Sequence, residues 1–187
     1  MTLLAFRPFT SALYREQSAA AHALLEELLQ KAGVAKTEIA RTEAGRPYFK
    51  DRQELDFSLS HTNGLVVCAL AIGAGSTSSP RVGVDVEPAP PKEKAARLAE
   101  RFFKPAEKEY LCRSADLARA FAEVFTAKEA YGKYIGDGLA VHLGDDTACA
   151  DFEARAGISF FRYRVADFFI TLCQPAGSPP PQIVSLA

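Results

Sequence analysis

The 187-residue chain predicts an α+β fold of two similar lobes that meet near its middle. Three observations carry this. A long segment of helical period stands early, over residues 10–32. Strand-like segments follow as far as Glu87, broken by the turn T-N-G at Thr62 to Gly64. Helical segments then return, and two more strand-like runs close the chain.

The elements are justified in order. Thr10 or Ser11 is placed to cap the first helix and Gly33 to end it, with Leu13, Leu24, Leu25, Leu28 and Leu29 as its inward stripe. GRPYF, Gly45 to Phe49, is a turn leading into a short strand. In DFSLSHTNGLVVCALAIG, Phe57 and Leu59 alternate with Ser58 and Ser60, the pattern of a half-buried strand, and Leu65 to Ile72 returns after the turn. GAGSTSSP is a polar loop. Arg81 to Glu87 is the next strand, stopped by Pro88, Pro90 and Pro91. KEKAARLAERFF is an amphipathic helix, and Pro105 opens another. A long helix from Ala115 ends in the G-D-G turn at Gly136 to Gly138. ISFFRYRV and FFITLC form a hairpin about Ala166 and Asp167, and AGSPPPQ is loop.

Composition narrows the function classes. The net charge is −1, so no global basic field points to nucleic acid or an anionic membrane. No run approaches the ~20 apolar residues of a membrane span. The N-terminal MTLLAFRPFT is interrupted by Arg7 and Pro8 and lacks the organisation of a signal peptide. Cys68, Cys112, Cys149 and Cys173 have no C-x-x-C spacing and read as reduced core residues, which predicts a cytoplasmic protein.

One strand is chemically unusual. In VGVDVE, residues two apart share a face, so Asp85 and Glu87 point one way while Val82, Val84 and Val86 point the other. Two carboxylates on one face repel unless solvent or a cation separates them. Hard divalent ions such as Mg²⁺ take this donor set, usually together with substrate phosphates, whereas an edge strand with a solvated face needs no ion at all. In FTAKEAYGK, Phe125 to Lys133, Glu129 and Lys133 share a helix face. The surrounding Phe121, Val124, Phe125, Tyr131 and Ile135 are apolar, so this pair is expected to face a cleft. Ser60 and His61 end a strand before a turn, where a phosphate can be met, and Arg46 is presented by a rigid turn.

The order GRPYF, FSLSHTNG, VGVDVE, RFF with an acidic segment, then FTAKEAYGKYIGDGL resembles the Sfp-type 4′-phosphopantetheinyl transferases. The resemblance runs from about residue 45 to residue 139 and includes the family motifs G-[IV]-D-[IV]-E and W-x-x-K-E-A-x-x-K. Phe125 stands where the family usually has Trp. The resemblance implies a single phosphopantetheinyl transferase domain over 1–187, with pseudo-symmetric lobes over about 1–90 and 91–187 and the cofactor cleft between them. It implies coenzyme A as donor, Mg²⁺ (or Mn²⁺) as metal and an apo acyl or peptidyl carrier protein as acceptor. It implies transfer of 4′-phosphopantetheine to a carrier serine with release of 3′,5′-ADP.

By the same motifs, Asp85, Glu87 and Glu129 are expected to hold the metal. Lys133 is expected to neutralise phosphate charge and to protonate the departing nucleotide. His61 would bond a phosphate oxygen beside Ser60. Gly45, Arg46 and Pro47 would lie at the nucleotide end, with Lys128 assisting in phosphate neutralisation. Glu129, or a water it orients, is the candidate base. His22 falls where the family usually places a basic residue against the 3′-phosphate, with Arg15 or Lys31 as substitutes. Phe102, Phe103 and Tyr110 are candidates for a carrier surface, against a core-packing alternative. A monomer is expected, with neither nucleic acid nor membrane as partner. The competing readings are another Mg²⁺-dependent phosphotransferase or nuclease, and a catalytically inactive carrier-binding module of the same fold.

Overall fold

The computed structural model describes residues 1–73, 79–136 and 145–186, and these form a mixed α+β architecture. Most of the predicted polar loop 73–80 and the end of the G-D-G turn, with the last residue of its motif, lie outside the described residues. The elements are β1 (Thr2–Phe9), α1 (Tyr14–Lys31), β2 (Ile39–Arg41), β3 (Pro47–Phe49), β4 (Leu55–Thr62), β5 (Gly64–Ile72), β6 (Gly83–Pro88), α2 (Lys92–Phe102), α3 (Pro105–Arg113), α4 (Leu117–Ile135), α5 (Phe152–Ala156), β7 (Ile158–Val165), β8 (Phe168–Pro175) and β9 (Gln182–Ile183).

Two sheets carry the fold: a four-stranded sheet in the order β4-β5-β1-β9 and a three-stranded sheet in the order β6-β8-β7. One face of the first sheet packs on α1 through Leu24, Leu25, Leu28, Phe57 and Leu70. Its other face meets the second sheet, where Leu65, Val67 and Ala69 contact Val82, Val84, Val86, Ile170 and Leu172. The far face of the second sheet packs on α4 through Ala127, Ala130 and Cys173. The valines of VGVDVE are therefore core, as their alternation predicts.

The seam between the sheets corrects the half-buried reading of β4. Asp56, Ser58 and Ser60 are each about 5% exposed and face β6, not water. Their side chains accept hydrogen bonds from the backbone amides of Val82 (2.8 Å), Val84 (3.0 Å) and Val86 (3.3 Å). β6 pairs with β8 along one edge. The three β4 side chains satisfy amides on its other edge, which would otherwise be buried and unpaired.

Several local expectations shift. α1 begins one residue after Leu13, which is 49% exposed and sits at the cap position, outside the inward stripe. Neither Thr10 nor Ser11 caps the helix, although the Ser11 hydroxyl accepts from the Leu13 amide. Gly33 ends it with φ of 70°, and the Val34 amide bonds back to Leu29 O. The turn after Thr62 and the β7–β8 hairpin fall where the sequence places them. β1, β2, α5 and β9 were not anticipated. Cys68 and Cys173 are buried, but Cys112 is exposed and Cys149 only half-buried, against the expectation of core cysteines. No helix among the described residues is long and apolar enough to cross a membrane.

Candidate active site

A cleft of about 290 Å³ opens between the β2–β3 turn, β4 and the C-terminal half of α4, lined by Gly45, Arg46, Pro47, Ser58, Glu129 and Lys133 among others. Each wall has a local cause. Gly45 takes φ of 85°, so the chain reverses tightly, with the Thr42 amide bonded to Arg46 O at 2.9 Å. Gly83 lets β6 approach α4: a Cβ there would lie 2.0 Å from Ala130 O and 2.6 Å from the Tyr134 amide nitrogen. That approach brings the carboxylate strand against the helix that carries Glu129 and Lys133.

Asp85 is the focus. It is 3% exposed, and its Oδ1 accepts from Ser60 Oγ at 2.8 Å and from Lys133 Nζ at 2.7 Å. Its Oδ2 is buried without a hydrogen-bond partner. Lys133 also donates to Val84 O at 3.1 Å. Glu87 and Glu129 are half-buried and share the Asp85 field. Burial first, and the Asp85 charge second, push the Glu87 carboxyl up to about 7 and the Glu129 carboxyl up to about 8. Lys133 pairs with Asp85, and both glutamates ionise less readily here than in water. Among the described residues, no three His, Cys, Asp or Glu side chains are gathered closely enough to form a ready metal cage.

His61 lies beside this group. Its Nδ1 is 3.1 Å from Gln17 Oε1, and Tyr14 packs edge-on to the ring at 4.8 Å. Burial, and then the Lys133 charge, lower its pKa. His22, one face of α1 away, is half-buried and also lowered, by burial and then by Arg41. Arg41, which sequence reading passed over, is thus the cation nearest in field to His22, and it donates to Gly45 O at 2.9 Å. Of the suggested substitutes, Lys31 is engaged by Ser185 O at 2.7 Å, and Arg15 is exposed.

Two cations expected at the phosphates are engaged by the protein itself. Lys128 is 1% exposed and turned away from the cleft. Its ammonium donates to Glu107 Oε1 at 2.6 Å and to Asp145 O, and Glu107 also accepts from the Thr147 amide and hydroxyl. The charge reads in sequence as helical and polar, but it closes a buried tie among α3, α4 and the segment before α5. Arg46 lines the cleft, yet its guanidinium is committed. It donates to Asp56 Oδ2 at 2.6 Å, to Lys133 O at 3.0 Å and to Val82 O at 3.3 Å, with 8% of the side chain exposed. Asp56 was missed because D-F-S-L-S reads as an ordinary strand start.

Of the candidate carrier residues, Phe103 is core, stacked on Phe121 at 4.9 Å. Phe102 packs partly against the same cluster, and Tyr110 is 44% exposed, its hydroxyl donating to Glu123 at 2.7 Å. Phe125, in the position where Trp is usual, stacks on Phe121 at 5.5 Å.

Comparison with known proteins agrees with the motifs. The family model of the 4′-phosphopantetheinyl transferase superfamily matches residues 81–173, from just before β6 into β8. The chain is 37% identical over 101 residues to the 4′-phosphopantetheinyl transferase HetI of Nostoc sp., covering 51% of this chain and 40% of that protein. It is 34% identical over 122 residues to a Haemophilus influenzae protein described as a 4′-phosphopantetheinyl transferase by inference, covering 64% and 50%. It is 40% identical over 67 residues to the holo-[acyl-carrier-protein] synthase of Azoarcus sp., covering 36% and 53%. The chain thus spans about half the length, or less, of these relatives.

Proposed function

We propose that this chain, which belongs to the 4′-phosphopantetheinyl transferase superfamily, moves the 4′-phosphopantetheine group of coenzyme A to a serine of an apo acyl or peptidyl carrier protein and releases 3′,5′-ADP. The observation that carries the reading is the Asp85 cluster. A buried aspartate with one unpartnered oxygen holds Lys133 beside two glutamates whose carboxyls are pushed up, next to a cleft walled by the β2–β3 turn, β4 and α4.

The donor chemistry suits a hard divalent ion. Asp85 Oδ2 lacks a partner, and burial together with the Asp85 charge holds the Glu87 and Glu129 carboxyls up, which a cation would reverse. Asp85, Glu87 and Glu129 would hold Mg²⁺, or Mn²⁺ in its place, after the two glutamates ionise and close on it. When bound, the ion would neutralise charge on the coenzyme A pyrophosphate. The chain's own residues supply the rest. Phosphoryl transfer needs alignment and charge neutralisation more than covalent help. Lys133 is held at the carboxylates and can shift its ammonium to a phosphate oxygen of the departing nucleotide. Ser60 fixes the Asp85 carboxylate. His61 donates Nδ1–H to Gln17, so its Nε2 bonds a phosphate oxygen only as the imidazolium, which an arriving phosphate favours. His22 and Arg41 flank that end. Glu129, or a water it orients, takes the acceptor serine proton. The nucleophile belongs to the carrier, consistent with the lack of an activated nucleophile among the described residues that line the cleft.

We take the two sheet-and-helix halves as the lobes of this domain. Because β6 pairs with β8, the boundary would precede residue 83 and not follow residue 90. A cytoplasmic monomer working without nucleic acid or membrane remains our reading. The deciding experiment is intact-protein mass spectrometry of several apo carrier proteins after incubation with the protein, coenzyme A and Mg²⁺. A gain of one phosphopantetheine, abolished by EDTA, is expected. Coenzyme A binding with no gain on any carrier would replace the transferase with an inactive carrier-binding module.

A further inference from the structure

We propose that Arg46 is a positioning residue for Lys133, acting through a clamp with Asp56, and not a ligand of the nucleotide. The inference rests on the role given to Lys133 above. An α-helix leaves its last four carbonyls without intrahelical partners. α4 ends at Ile135, and two of its last carbonyls are met by side chains from outside the helix: Arg46 Nε donates to Lys133 O at 3.0 Å, and an Arg81 nitrogen donates to Ile135 O at 2.8 Å. Two cations thus stand at the negative end of the helix.

The other arm of the Arg46 fork reaches Asp56 Oδ2 at 2.6 Å, and that same oxygen accepts the Val82 amide at 2.8 Å. The ion pair is almost dry, with 8% and 6% of the two side chains exposed. Two residues along β6, Val84 O and Asp85 Oδ1 receive the Lys133 ammonium. Lys133 is therefore gripped at both ends from one strand: its ammonium directly, its backbone through Arg46 and Asp56. Gly136 completes the clamp. It takes φ of 92°, and a Cβ there would lie 2.6 Å from Arg46 Cδ. A guanidinium bridges two acceptors in fixed geometry, which a lysine at position 46 does not reproduce.

The test compares the wild type with Arg46→Lys, Asp56→Asn, Lys133→Ala and the double variant Arg46→Lys/Lys133→Ala. The readouts are kcat for carrier modification, coenzyme A affinity by calorimetry, and amide hydrogen exchange across α4. Arg46→Lys is expected to lower kcat about 10- to 100-fold, the scale of a displaced catalytic group, with coenzyme A affinity changed less than about 2-fold. In the Lys133→Ala background the same change is expected to cost less than about 3-fold, because the group it positions is gone. The last turn of α4 should exchange faster in both Arg46→Lys and Asp56→Asn. An undiminished loss in the Lys133→Ala background overturns the proposal. So does a tenfold weakening of coenzyme A at unchanged kcat, which would make Arg46 a ligand. Should Arg46→Lys not fold, the isosteric Asp56→Asn carries the same comparisons. Should the wild type modify no carrier, the transferase reading falls by itself, and unchanged exchange at the end of α4 in the variants still overturns the clamp.

Discussion

At Asp85 the two oxygens of one carboxylate have opposite fates. Oδ1 is bonded by a serine and a lysine, while Oδ2 is buried with no partner. An unmet buried oxygen is costly unless something arrives to meet it. We expect Asp85→Asn, which keeps the volume, to reduce carrier modification by at least about 100-fold while leaving the urea midpoint nearly unchanged. Mass-spectrometric rates alongside urea titration check both halves. The neighbouring glutamates predict a pH signature for the metal-free protein. Their folded-state values, about 7 for Glu87 and about 8 for Glu129, lie above the 4.5 of the unfolded chain. Between these values the folded state binds more protons than the unfolded one, so their contribution to stability is fully present below pH 4.5 and is lost as pH rises to about 8. Melting temperatures in EDTA should drop across that window. Glu129→Gln should flatten the profile, and added Mg²⁺ should lift its alkaline end.

Elements meet here through a few close approaches. β6 touches α4 only because residue 83 is glycine. Gly83→Ala must push strand and helix apart, and urea denaturation should show a loss of about 1–3 kcal/mol or more, with activity falling further than stability. On the other side of α4, Lys128 and Glu107 form a pair that is 1% and 0% exposed. Lys128→Met removes one charge and strands the other, at a cost of about 3–5 kcal/mol. Pairing it with Glu107→Leu should recover much of that loss in the same denaturation measurement. A Lys128 that bound phosphate in the cleft would instead affect coenzyme A affinity at unchanged stability. The seam of Asp56, Ser58 and Ser60 is the third approach. It explains why β4 places polar side chains on a face that never meets water.

Across the whole molecule, the two sheets bury one shared set of residues, from Leu4 and Val67 on one side to Val84 and Leu172 on the other. Neither sheet can expose that face without the other doing so, and calorimetry should show a single cooperative transition. Much of this was legible locally. The β7–β8 hairpin, the turn after Thr62, the Pro105 helix start and the Gly136 helix end are set by residues next to them in the chain. The alternation in VGVDVE likewise determined which side chains are core and which are carboxylate face. β1 escaped because most of its first half is buried on both faces and shows no period, and β9 because two residues carry no pattern. What the sequence could not determine is where a charge is aimed. Lys128 and Lys133 sit five residues apart on one helix, and Arg46 lies in a motif that reads as a phosphate clamp. Their partners, Glu107, Asp85 and Asp56, are 21, 48 and 10 residues away. Only the packing of α4 between its neighbours decides which ammonium reaches the cleft, because taking a charge out of water is tolerated where a carboxylate distant in sequence is brought against it.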